Sequence, residues 1–184
     1  MTGPVVVVVG VVVALLLLVG LGYNGLVRRR NRVDSTWSDV DVLLRRRHDL
    51  VPNLVSTVSG YASHEAAALR AVAEARSAAI AASGPAAIGQ AETQLASGVR
   101  SLFAVAEAYP DLKASAAYVR LQEQLEETEN GLEHARQFYN DSVFGYNNAV
   151  QTLPKNLVAM VFGFRARQFF QAAGGDRPTP VVRV

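Results

Sequence analysis

Between Val5 and Gly22 the chain uses only Val, Gly, Ala and Leu, and extending the stretch to Val27 adds just Tyr23 and Asn24 as polar interruptions. No charge falls inside it. As a helix rising ~1.5 Å per residue it covers roughly 27 to 35 Å, the thickness of a hydrocarbon core of about 30 Å. Valine is a poor helix former in water. In lipid a single segment must satisfy its own backbone hydrogen bonds, so helix is the one conformation open to it. Residues 1–27 are therefore expected to form a transmembrane anchor.

A cleaved secretory signal fits this stretch less well. Such signals carry a basic start, an apolar core of about 7 to 15 residues and a small-residue cleavage site. Here no Lys or Arg precedes the run and no Ala-x-Ala follows it. Arg28, Arg29, Arg30 and Arg32 come directly afterwards. Basic residues flank the cytoplasmic end of a span, which places the N-terminus outside and the following domain in the cytoplasm of a single-pass cell-membrane protein. The same arginines suit the anionic heads of a lipid bilayer. Gly20, Gly22 and Gly25 spell a dinucleotide-loop pattern without its strand context. Gly10 and Ala14 form a small-xxx-small pair through which two anchors could approach.

After the anchor the apolar period is helical throughout. Val33, Trp37, Val40, Leu44, Val51, Leu54, Val58 and Tyr61 follow a 4-3-4-3 spacing, a narrow coiled-coil-like seam with Arg47 as its one polar entry. Pro52 predicts a kink near His48 to Pro52. Gly60 predicts the end of that helix, and Ser63 the N-cap of an Ala-rich second one running to about Ala82. Ser83-Gly84-Pro85 predicts a hairpin, and a third helix follows to about Ala108. Tyr109-Pro110-Asp111 marks the next turn. Tyr118, Leu121, Leu125, Leu132, Ala135, Tyr139, Val143, Tyr146 and Val150 then mark one face of a long fourth helix, weakened slightly by Gly131 and Gly145. Short connections favour antiparallel neighbours. The expected fold is all-α: a transmembrane helix (1–27), an antiparallel up-and-down four-helix bundle (28–155), an apolar, aromatic C-terminal helix (156–172) and a flexible tail (173–184).

Two opposite charge blocks agree with that topology. Seven arginines face three aspartates over residues 28–47, and seven acids face two bases over residues 107–133. Antiparallel first and fourth helices would bring Arg45, Arg46 and Arg47 near Glu123, Glu126, Glu127 and Glu129.

The strings YNGLVRRRNRVDSTWSDVDVLLRRRHDLVPNLVSTVSGYASHE, AYPDLKAS, LQEQLEETENGLEHARQFYNDSV and YNNAVQTLPKNLVAMVFGFRARQFF resemble the LemA family of bacterial membrane proteins over roughly Gly22 to Gln171. The resemblance implies a transmembrane helix followed by an antiparallel helical bundle. It implies no established catalytic activity and carries over no site residues.

Signatures of chemistry point the same way. The chain lacks a phosphate-binding P-loop and a nucleophile elbow. It has no cysteine, which removes thiolate catalysis and sulfur-ligated metals. His64-Glu65 begins a zinc motif whose second histidine is replaced by Ala68, and none of His48, His64 and His134 completes a Glu-x-x-His pair. Asn140-Asp141-Ser142 matches a glycosylation acceptor only formally. No catalytic, cofactor-binding or metal-binding residue is expected, and no nucleic-acid partner, since the basic cluster is tied to the bilayer and lacks interleaved aromatics.

The most informative segment beyond the bundle follows Pro154. An even number of antiparallel helices returns the chain to its starting end, beside the anchor. Phe162, Phe164, Arg165, Arg167, Phe169 and Phe170 there suit the headgroup boundary, or else the segment packs back as a final core helix. The expected function is a membrane-anchored helical scaffold that binds a protein partner or its own copies. The alternative is a lipid-engaging, membrane-organising protein that uses the arginine cluster and this aromatic segment.

Overall fold

The computed structural model describes residues 2–171, and the described residues contain helices and no strand. Six helices follow in order: α1 Thr2–Ser59, α2 Ala66–Ala81, α3 Pro85–Ala106, α4 Pro110–Lys113, α5 Ala116–Gln151 and α6 Lys155–Phe162. The expected tail at 173–184 lies outside the described residues.

The apolar run and the seam that follows it form one helix. No proline falls between Tyr23 and Val33, and the arginines there are good helix formers that offset Gly25, so α1 passes from the run into the seam without a cap. Val33, Val40, Leu44, Val51, Leu54 and Val58 are all buried. Pro52 lies inside α1 and does not end it. Its missing N–H leaves the carbonyl of His48, four residues back, without its helical donor. Arg76 of α2 supplies one, its Nε donating to that oxygen at 2.7 Å.

The first turn differs from expectation. Ala62 N–H bonds to Val58 O at 2.9 Å and Glu65 N–H to Ala62 O at 3.0 Å. The hydrogen-bonded turn therefore runs past Ser63, and α2 opens at Ala66 with Glu65 at the cap position and no side-chain cap. The second turn is as expected: Gly84 takes φ +85°, and Pro85 opens α3. The third turn contains α4, a single helical turn that buries Leu112.

α6 is shorter than the helix expected over 156–172. Gly163 adopts φ +71°, a left-handed conformation that terminates the helix at Phe162. The chain beyond it is held in a non-helical course by Asn147, whose side chain accepts from Arg167 N at 2.8 Å and donates to Arg167 O at 2.9 Å.

The chain divides into two compact units. The first takes α1 as far as Asp39 together with Gln137–Arg167. Leu26, Val33, Tyr139, Val143, Tyr146, Ala149, Val158 and Ala159 are its buried apolar residues. Trp37 packs on Tyr139 with ring centroids 5.1 Å apart. The second takes Val40–Arg136 and the chain from Gln168. Its core joins Val51, Leu54 and Val58 of α1 to Val72 and Ala79 of α2, Leu95, Val99 and Leu102 of α3, and Tyr118 and Leu125 of α5. A Cβ added at Gly98 would stand 3.1 Å from Val72 Cγ2, so α2 and α3 touch closely.

Candidate membrane interface

Within the first unit, every Val and Leu from Val5 to Leu21 is between 40% and 68% exposed. A continuous apolar surface of this size is unfavourable against water and marks a lipid or partner contact. Its length matches a bilayer, so α1 is a candidate membrane span.

α6 lies against the last turns of this surface. A Cβ at Gly22 would meet Val158 Cγ2 at 3.1 Å, and one at Gly25 would meet Lys155 Cε at 3.9 Å. Glycine at position 22 is what lets the two helices approach. Beside this contact a cleft of about 140 Å³ is lined by Leu15, Leu18 and Val19 on one wall and Pro154, Leu157 and Val158 on the other. α6 buries Val158 and Ala159 and leaves Leu157, Met160, Val161 and Phe162 exposed.

Aromatic rings gather where the apolar surface ends. Tyr23 meets Phe162 edge-on at 5.0 Å and Phe164 at 5.6 Å between centroids. The guanidinium of Arg30 stands 5.6 Å above the Phe164 ring, a cation–π arrangement. Arg29 reaches α5 and donates to Gly145 O at 3.2 Å. Gly145 makes room for it, since a Cβ there would stand 3.3 Å from Arg29 Nη1. Arg167 pairs with Asp34 at 3.0 Å. Burial raises Tyr139 and Tyr146 above the ordinary phenol value, and the nearby Arg167 cation partly offsets this.

The residues singled out from sequence thus take different places. Arg28, Arg32 and Arg165 are exposed. Arg29, Arg30 and Arg167 are engaged with Gly145, Phe164 and Asp34 respectively. Phe162 and Phe164 are drawn together by Tyr23, while Phe169 is at the surface of the second unit. Phe170, grouped from sequence with the interfacial aromatics or else with a core segment, belongs to the second unit and is only 3% exposed. With α6 ended by Gly163, Phe170 no longer shares a helical face with Phe162.

The second unit holds a buried ionic node that sequence reasoning missed. Glu92 of α3 accepts from Arg47 Nη1 at 3.3 Å, and its other oxygen lies 2.6 Å from His48 Nε2. Arg47 also pairs with Glu129 of α5 at 3.0 Å. The side chains of Arg47 and Glu92 are 6% and 4% exposed. The signal was present: Leu95, Val99, Leu102 and Ala106 of α3 are buried at 4-3-4 spacing, and stepping back one interval lands on Glu92. An acid on that stripe matches the base at Arg47 on the seam of α1. Arg46 pairs with Glu127 at 2.6 Å, so the two charge blocks meet as expected. A cleft of about 370 Å³ beside the node is lined by Arg47, Val99, Arg100, Phe103, Leu125 and Glu126, among others. Both oxygens of Glu92 are engaged with protein groups, which makes the node a structural tie between α1, α3 and α5.

The sequence profile described as the LemA family matches residues 36–184. Among curated proteins, magnetosome proteins MamQ 1 and MamQ 2 of Paramagnetospirillum magneticum are each 26% identical over 91% of this chain and 71% of their own length. Magnetosome protein MamQ of Magnetospirillum gryphiswaldense is 24% identical over 87% of this chain and 70% of its own.

Proposed function

The chain belongs to the LemA family, and on that premise we propose that it is a membrane-anchored helical scaffold that binds a protein partner or further copies of itself and has no catalytic activity of its own. The observation that carries this reading is the continuity of α1. One helix presents an exposed apolar surface of bilayer length and then, without a break, becomes the central element of both packed units. The chain that follows the apolar surface is thereby tethered to it.

Arg28 to Arg32 support an orientation with the chain that follows the anchor on the cytoplasmic side. An antiparallel arrangement of α1 and α5, part of an up-and-down bundle, is supported by pairings in each unit. In the first, Arg29 meets Gly145 and Trp37 meets Tyr139. In the second, Leu43 meets Gly131 and Arg46 meets Glu127. Within each unit the number rises along α1 as it falls along α5.

Phe144 of α5 is 66% exposed, which makes the face around it the partner-binding candidate. A photoreactive residue introduced at position 144 and irradiated in native membranes is expected to yield a discrete protein adduct that is lost when the probe is moved to Glu133. Equal, diffuse labelling from both positions would contradict a scaffold role.

A further inference from the structure

We propose that α6 is a second membrane-embedded element, inserted beside the anchor into the acyl chains of the leaflet at which α1 leaves the bilayer. The proposal rests on α1 being a membrane span, and it adds the partner of α6: a lipid surface with anionic headgroups.

The depth of α6 follows from its contacts. Gly22, the last residue of the uninterrupted apolar run, touches Val158, while Pro154 and Leu157 share a cleft with Leu15, Leu18 and Val19. Leu15 lies seven residues before Gly22, or ~10 Å along the helix axis toward the bilayer centre. A span that puts Leu15 in hydrocarbon therefore puts Leu157 there too. The outward face of α6 has the composition for that environment: Leu157, Met160, Val161 and Phe162 are 57%, 79%, 77% and 52% exposed and carry no polar group, and the preceding Leu153 is 73% exposed.

Several backbone groups at the ends of α6 are paired within the chain, as lipid favours. Asn156 N–H bonds to Thr152 O at 3.0 Å, Leu157 N–H to Pro154 O at 3.3 Å, and Phe164 N–H to Ala159 O at 2.9 Å. Lys155, the one charge on the helix, lays its stem toward Gly25, so the ammonium is carried toward the boundary while the methylenes stay on apolar surface. Tyr23, Phe162 and Phe164 form the aromatic belt expected at that boundary. Arg28 and Arg165, each near one of these aromatics in sequence, are exposed and supply positive charge complementary to anionic heads.

The absence of cysteine makes the test direct. Met160→Cys and Val161→Cys, both at exposed positions, are labelled with a nitroxide in the full chain. Leu16→Cys and Glu123→Cys serve as references inside the span and in water. The protein is reconstituted in vesicles of phosphatidylcholine with phosphatidylglycerol, and collision with dissolved oxygen is compared with collision with a water-soluble nickel chelate. The expected result is oxygen collision at 160 and 161 equal to that at 16, with loss of the nickel contact seen at 123. Nickel contact at 160 and 161 while 16 stays shielded would overturn the insertion and leave the anchor standing. Nickel contact at 16 as well would overturn both. Shielding of 160 and 161 from both relaxers, with dipolar broadening that disappears on dilution with unlabelled chain, would assign the face to a second copy and reject the lipid.

Discussion

Substitution of Arg76 tests how α1 carries a proline through its interior. Pro52 deprives His48 O of its donor, and Arg76 Nε restores one at 2.7 Å from a neighbouring helix in a partly buried setting. Loss of that donor leaves a carbonyl unsatisfied, a cost of about 1–3 kcal/mol. Because some water reaches the site, Arg76→Ala is expected near the lower half of that range, ~1–2 kcal/mol. In a Pro52→Ala background the new N–H bonds to His48 O within the helix, so the same Arg76 substitution should cost only its lost packing, ~0.5 kcal/mol or less. The four proteins form a double-mutant cycle with an expected coupling of about 1 kcal/mol. Urea unfolding followed by far-UV circular dichroism at fixed detergent concentration measures it. Costs that add to within about 0.3–0.5 kcal/mol would show that Arg76 and the proline act independently, and would refute the reasoning.

Three further outcomes follow from the charges and phenols. Glu92→Ala takes from buried Arg47 one of its two carboxylates, leaving Glu129, and removes the partner of His48, so it should cost about 1–3 kcal/mol, whereas the paired change Arg47→Met with Glu92→Leu should recover most of it in the same unfolding assay; no recovery would contradict a purely structural node. Arg46→Glu breaks a surface pair whose side chains are 44% and 67% exposed, so it should cost less than about 1 kcal/mol, and the difference should vanish at high salt. Burial raises Tyr118, Tyr139 and Tyr146 above their ordinary value of 10.0. The folded state then holds these protons where the unfolded state releases them, so stability should be intact below pH 10 and fall as pH rises above it. Phenolate absorbance should show these three ionising together with loss of helix; ionisation well before unfolding would contradict their burial.

Much of this architecture is carried by period and punctuation, which are properties of single helices. Val33, Val40, Leu44, Val51, Leu54 and Val58 are buried as their spacing requires, while Trp37 is half-buried and Tyr61 exposed, and Gly84-Pro85 turns the chain where a left-handed residue followed by a proline should. What sequence left open depends on contacts across space. The end of α6 needed the clamp from Asn147 as well as Gly163 to account for the chain that follows. The start of α2 was decided by turn hydrogen bonds that consume the residues around Ser63. Glu92 reads as an exposed acid in an Ala-rich helix until its stripe is matched with Arg47. The accommodation of Pro52 could not be read at all, because its compensating donor lies on another helix.

The most direct measurement concerns the apolar run itself. Membranes from cells producing the chain are washed with alkaline carbonate, and the retained and released fractions are digested with trypsin and read by mass spectrometry. The account predicts retention with the lipid, with the peptide containing Val5 to Arg28 recovered alongside peptides of α5. Release of the α5 peptides into the aqueous wash, with the Val5 to Gly22 sequence missing from them, would contradict it.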